Sequence, residues 1–324
     1  MRLKEIYDLA VAMGIEKDPR GKAEIERLLK KAKEAHDRAP DKEKEFLDPE
    51  DLTNPYADTR ILIGDPRSEI KTVLAGIDME IGEVILADRL REKGTDIDLI
   101  ISHHPEGKAL AALNEVMALQ ADLWFQHGVP INVGEALIGR RMKEIQRGFL
   151  PQNHNRATDV AAMLDIPFVC LHTVADNQVN AFLSELFDKL KPRVVSDVVD
   201  ILRQQPEYRA ASLNKTGPVV IVGGAENRAG KVLVDMTGGT EGPVQALEKL
   251  AQAGVGTIVC MHYSEKHREE AEKQNMNVVV AGHIVSDSLG LNLILDRLEA
   301  KGVKIIPVSG LVRVSRLAKK KVVK

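Results

Sequence analysis

The sequence predicts an α/β protein built from two similar, duplicated α/β units, with a dinuclear metal site between them and an N-terminal helical extension. Three observations carry that expectation. The first is an internal repeat: residues 73–106 and 232–265 are both 34 residues long and share one pattern. Each reads as an apolar strand, a turn, an amphipathic helix, a Gly-containing loop and a second apolar strand. Both close on His-X-X-Glu, beginning at His103 in the first copy and His262 in the second. The second observation is a set of apolar strands that run out in histidine: His103-His104, His172 and His283. The third is composition. With 324 residues, 44% hydrophobic and 29% charged, the chain is long enough for two domains and ordinary for a globular protein.

Composition also excludes several functions. A formal net charge of −3 argues against nucleic acid as the main partner. Aromatics make up 3% of the chain, too few for base-stacking platforms. The two cysteines, Cys170 and Cys260, sit in apolar runs and read as buried, reduced thiols in a reducing compartment. The start of the chain lacks a signal-peptide pattern, and no apolar run reaches membrane-spanning length. A cytoplasmic protein without membrane contact is the expectation.

Along the chain, residues 1–56 form the extension. Ile6, Leu9, Ala10 and Met13 recur at helical spacing, Asp18-Pro19-Arg20-Gly21 breaks the pattern, and a charged helix follows from Lys22 to Ala39. The first α/β unit spans 57–207. It contains the first repeat, a helical stretch over 108–127, a short strand VPINVG and a helix over 135–147. A polar loop, a helix over 158–164, the strand IPFVCLH and a helical region over 178–206 broken at Pro192 complete it. The second unit spans 208–324: PVVIVGG, the second repeat, VVVAGH, a helix over 288–302, VKIIPVSG as the last strand, and a basic, fraying tail.

The chemistry concentrates at the strand ends. Leu99-Ile100-Ile101 reads as a buried strand ending in Ser102, His103, His104 and Pro105, whose missing N–H stops the ladder. Imidazole is the commonest protein metal ligand, and successive side chains on extended backbone point apart, which suits two neighbouring ions. In LHTVADN, His172 and Asp176 stand four apart, and in AGHIVSD so do His283 and Asp287. Histidine with carboxylate and no thiolate suits Zn, Mn, Fe, Ni or Co. The bland alternative for each pair is a core histidine with a helix-capping carboxylate. Weaker motifs sit elsewhere. GGAENRAGK imitates a phosphate loop but has five residues between Gly224 and Gly230, and Val232 where Ser or Thr is needed. MTGGTEG (236–242) reads as a turn, and His262 and His267 as residues lining the pocket.

In combination these motifs resemble the NGG-interacting-factor-three-like proteins, a group with a dinuclear metal centre. His103-His104-Pro105 matches the family's His-His-Pro, His172-Thr173-Val174-Ala175-Asp176 its His-Thr-X-X-Asp, and Gly282–Asp287 its Gly-His-X-X-Thr-Glu, with Ser286 for Thr and Asp287 for Glu. The resemblance covers roughly residues 60–315. It implies His103, His104, Asp176, His283 and Asp287 as ligands of two divalent ions, and a ring-shaped homohexamer; Asp176 is expected to bridge the ions. Some members are assigned as a second type of GTP cyclohydrolase. Two departures stand out: Asp287 is one methylene shorter than the family's Glu, and 105–171 is longer than in the shorter members. The expected function is a metal-dependent hydrolase acting on a small molecule, with His172 as the proton-carrying catalytic residue. The alternative is a non-enzymatic metal-binding assembly or regulatory protein.

Overall fold

The computed structural model describes residues 1–317, so most of the basic tail lies outside the described residues. In chain order the strands are β1 (Thr59–Ile63), β2 (Thr72–Gly76), β3 (Leu99–Ser102), β4 (Phe168–Leu171), β5 (Val219–Val222), β6 (Lys231–Asp235), β7 (Val255–Cys260), β8 (Asn277–Val280) and β9 (Lys304–Pro307). The helices of the first part are α1 (Leu3–Glu16), α2 (Lys22–Arg38), α3 (Asp41–Lys44), α4 (Ile81–Glu92), α5 (Gly107–Ala111), α6 (Leu113–Val116), α7 (Leu119–Gln126), α8 (Ile131–Phe149) and α9 (Arg156–Met163). The rest are α10 (Thr173–Leu190), α11 (Val195–Arg203), α12 (Pro206–Leu213), α13 (Ala246–Gln252), α14 (Glu265–Lys273) and α15 (His283–Ala300).

The repeat read in the sequence is a repeat in space. One sheet has the order β1-β4-β3-β2-β9 and the other β5-β8-β7-β6. In both, a first strand pairs antiparallel with the fourth (β1 with β4, β5 with β8) and carries a register irregularity, between Ile61 and Ile63 in one and between Val220 and Val222 in the other. The remaining pairs, β4-β3-β2 and β8-β7-β6, are parallel. Strands β2, β3 and β4 are buried along their whole length, as parallel strands covered on both faces must be, which explains their unbroken apolar runs.

Two parts of the sequence reading are corrected. VPINVG is not a strand: Pro130 precedes the first turn of α8, which starts at Ile131. Proline at a helix start costs nothing, because that N–H has no partner there, and two alternations were too few to define a strand. Strand β9, read as the end of the second half, pairs with β2 in the first sheet, Val73 opposite Ile305. The chain therefore builds the second sheet and returns to the first.

Helices α10 and α15 join the halves. Val174 and Ala175 of α10, with Leu291, Ile294 and Leu295 of α15, pack in the core of the first sheet. Val179, Leu183 and Phe187 of α10, with Val285 and Leu289 of α15, pack in the core of the second. Each helix is thus buried on opposing faces, and Gly290 lets their backbones meet: a Cβ there would lie 2.3 Å from the Ala175 carbonyl oxygen. Helix α1 also belongs to the first core, through Leu3, Ile6, Tyr7, Ala10 and Val11. Beyond it, the buried Asp18 carboxylate accepts bonds from Arg20 and from the Tyr56 hydroxyl (2.8 Å). Asn177, next to Asp176, donates to the Tyr56 oxygen and accepts from Thr237 (2.6 Å).

Candidate metal centre

The parallel strands deliver the site residues from their C-terminal ends, where ligand sites of open α/β sheets gather. After β3, the backbone N–H groups of His103 and His104 bond to the carbonyls of Gly76 and Ile77 (3.0 and 2.9 Å), and the two imidazoles sit with ring centroids 5.3 Å apart. After β4, His172 leads directly into α10, and Asp176 follows one turn later. After β8 the chain turns through Gly282 (φ +116°), where a Cβ would lie 2.7 Å from the Thr216 carbonyl oxygen. His283 then opens α15, and Asp287 follows one turn on. In both helices the i, i+4 spacing puts histidine and carboxylate on one face.

These three chain segments converge. His103 Nε2 lies 3.4 Å from Asp176 Oδ1 and 3.4 Å from Asp287 Oδ1. Asp287 Oδ2 lies 3.4 Å from His104 Nε2 and 3.6 Å from His283 Nε2. His172 Nε2 is 3.8 Å from Asp176 Oδ2. Two overlapping groups have the spacing of a metal site: His103, His172 and Asp176, and His103, His104 and Asp287. Two atoms bound to one zinc at about 2.1 Å with a tetrahedral angle are about 3.4 Å apart, so the separations fit shared coordination. Neither carboxylate confines both oxygens to one neighbour: Asp287 faces three histidines, and Asp176 faces two.

The donor set is also unsatisfied. Both ring nitrogens of His103, Oδ1 of Asp176 and both oxygens of Asp287 are buried without a hydrogen-bond partner. Buried polar atoms are rarely left so, and a buried carboxylate costs several kcal/mol unless a cation faces it. The ion pairs of Asp58, Asp176 and Asp287 among the described residues are with histidine, not with lysine or arginine. The electrostatics follow. Burial pushes Asp176 up to about 6 despite the pull of His172 and His103. Burial opposes charge on His172, but Asp176 and Asp58 override it and push its pKa up to about 9. Burial would raise Asp287, yet His103, His104 and His283 hold its carboxyl far below the usual range. His283 is pushed down to about 4, chiefly by burial and by neighbouring imidazoles, against the pull of Asp287. The cluster therefore places two carboxylates among histidines, the chemistry that holds a divalent cation.

Three outer carboxylates orient the imidazoles, and sequence reasoning missed their role. Asp58, fully buried, accepts from His172 Nδ1 (2.7 Å) and from the Thr173 hydroxyl (2.6 Å). Asp78 meets His104 Nδ1 at 2.6 Å, and Glu241 meets His262 Nδ1 at 3.2 Å. Each pairing leaves Nε2 free to face the site, the arrangement that outer carboxylates impose on metal-binding histidines. Asp58 and His172 are 114 residues apart in the chain, so no local pattern announces them. His172, read from the sequence as a proton carrier, stands in the same group as His103 and Asp176. His262 is also where the repeat suggests, its ring 4.8 Å from that of His283. A small pocket of about 70 Å³ opens beside the cluster, lined by His172, Asp176, His283 and Asp287 on one side and by Thr237, Glu241, Tyr263 and His267 on the other.

Duplicated α/β sheets with a histidine–aspartate centre at their shared strand ends define a metal-binding class of protein. No family model and no curated protein matches the chain. Solved structures do. A NIF3 superfamily protein from Sphaerobacter thermophilus matches with a TM-score of 0.69 and 29% identity, covering 79% of this chain and 92% of that one. Reduced HcgD from Methanocaldococcus jannaschii matches with a TM-score of 0.50 and 17% identity, over 81% and 93% of the two chains, a likeness of fold. By fold and by 29% identity over most of both chains, the chain is similar to a NIF3 superfamily protein.

Proposed function

We propose that this protein is a metal-dependent hydrolase holding two divalent ions in the His103, His104, Asp176, His283 and Asp287 cluster, with His172 beside them. The observation that carries the reading is the set of buried, partnerless donor atoms on His103, Asp176 and Asp287. Divalent ions in such a site act as Lewis acids and lower the pKa of water to about 7. The chain's own residues do the rest. Asp58 and Asp78 fix the ring orientations of His172 and His104. His172, with Nδ1 committed to Asp58, offers Nε2 either as a ligand or as the atom that carries a proton. The pocket between His283 and the 237–242 loop has the polar lining that would orient a small substrate. GTP cyclohydrolase-type ring hydrolysis is one candidate reaction.

The test is elemental analysis of the purified protein, followed by titration of chelator-stripped protein with Zn²⁺, Mn²⁺ and Fe²⁺. A screen of GTP, other nucleotides and phosphodiesters with the metal-loaded protein comes next. Stoichiometric metal with hydrolysis supports the enzyme; stoichiometric metal with no turnover favours a binding protein. Asp58→Asn is expected to weaken metal binding by about 10–100-fold without changing the fold, because the amide can present the wrong hydrogen-bond partner to His172 Nδ1. Unchanged affinity in that variant would show that His172 is not held toward the ion.

The protein is further proposed to act in the cytoplasm as a homo-oligomer, most simply a hexamer. Both cysteines are free and buried, and among the described residues no helix is long and apolar enough to cross a membrane. Ile81, Ile85 and Leu86 of α4 are about 40% exposed, an apolar helix face that a second copy would cover. Light scattering at micromolar concentration should give six copies of the 35.7 kDa chain. A clean monomer would contradict the ring.

A further inference from the structure

A groove of about 650 Å³ runs between α8 and the start of α14, and it shares Glu241, Gly242 and His267 with the pocket beside the histidine–aspartate cluster. We propose that this groove seats the phosphate end of a small substrate whose other end reaches the cluster; the proposal rests on the hydrolase reading of that centre.

The argument is one of charge left over. Five charged side chains of α8 and α14 and one carboxylate from the 237–242 loop line the groove: Arg140, Arg141, Glu144, Arg147, Lys266 and Glu241. Both carboxylates are already engaged. Glu144 pairs with Arg141 at 2.7 Å. Glu241 accepts from the Ser264 backbone N–H at 2.8 Å and faces His262 Nδ1 at 3.2 Å. Arg141 is further tied down by its Nε, which donates to the Glu241 carbonyl at 3.2 Å. Arg140, Arg147 and Lys266 have neither an ion pair nor a side-chain hydrogen bond among the described residues. Arg140 and Arg147 are seven apart on α8, two turns on one face, and Lys266 stands on the opposite wall. Three uncompensated cations thus face one another across a concave surface on a chain whose net charge is −3.

Concavity and size select the ligand. The volume is that of a small-molecule site. Guanidinium groups grip phosphate oxygens in pairs, and lysine adds a point charge, so the matching ligand carries two or three negative charges on phosphate. Because Glu241, Gly242 and His267 line both the groove and the pocket beside the cluster, a phosphate ester seated in the groove has its other end directed past these residues toward the cluster. A polynucleotide would need a longer basic track than these three residues supply.

The experiment uses the full-length, chelator-stripped protein, so that pyrophosphate cannot bind through a metal. Calorimetric titration with pyrophosphate at low ionic strength is expected to show one saturable site per chain. The Arg140→Ala/Arg147→Ala/Lys266→Ala variant should bind at least tenfold more weakly, with an unchanged circular dichroism spectrum. Asp287→Ala, which disables the metal centre, should leave pyrophosphate binding within about twofold, so failure of the groove and failure of the metal centre are read separately. Absent or non-saturable binding, or equal binding by the triple variant, overturns the proposal. So does tighter binding of a twenty-nucleotide single strand than of pyrophosphate, lost in the same variant, which would make the groove a polynucleotide site.

Discussion

Asp287→Ala is expected to empty the metal centre and to abolish the stabilisation that metal gives the wild type. Asp287 faces His103, His104 and His283 at once. Losing an outer partner of a metal ligand costs about 10–100-fold in affinity, so losing a direct ligand should cost about 100-fold or more, at least about 2.7 kcal/mol. The metal dependence of the stability change separates this reading from a structural one. In the metal-free protein the imidazoles attract the buried Asp287 carboxylate more strongly than burial disfavours it, so the variant also gives up some stability without metal. Were Asp287 only a structural partner of the imidazoles, the variant would lose the same stability with and without metal, by up to about 3–5 kcal/mol. Thermal melts of metal-free and metal-loaded wild type and variant decide between them. The expected pattern is a metal-induced rise in Tm for the wild type only.

Gly290→Ala should damage both the fold and the centre. The added Cβ would lie 2.3 Å from the backbone oxygen of Ala175, and neither helix backbone can yield cheaply. Overpacking of this kind costs about 1–3 kcal/mol, more than the gain in helix propensity of about 1 kcal/mol for replacing glycine. Ala175 precedes Asp176, and Gly290 lies three residues after Asp287. Separating α10 from α15 therefore moves the two carboxylates apart, and metal affinity should fall with stability. Gly139→Ala on α8 is the control: nothing lies within 4 Å of its Cβ, and the substitution should be neutral or slightly stabilising. Urea melts and metal titration of both variants test this. Equal behaviour of the two would show that the helix crossing does not set the spacing of the centre.

What could be read from the sequence was what repeats or recurs locally. Parallel strands buried on both faces leave unbroken apolar runs, so Leu99–Ile101 and the strand before His172 were visible, as was the duplication that places His262 like His103. The i, i+4 pairs His172/Asp176 and His283/Asp287 were visible for the same reason, although α15 begins at His283 itself rather than at Ser288. Long-range partners were not visible. Asp78 reaches His104 from the turn after β2, and Asp58 reaches His172 from the loop before β1; a lone aspartate in a loop carries no mark of its partner. Pro130 hid the start of α8 by resembling a strand boundary. The return of β9 to the first sheet depends on which edge is open, and a strand's own residues do not say which edge it will meet.

The most direct test of the account is an anomalous-scattering map from crystals of the protein loaded with Zn²⁺ or Mn²⁺. The account predicts metal peaks at the junction of the two sheets, with His103, His104, Asp176, His283 and Asp287 supplying nitrogen and oxygen ligands at about 2.0–2.2 Å for zinc. A map with no peak there, or with metal bound only at other residues, would contradict it.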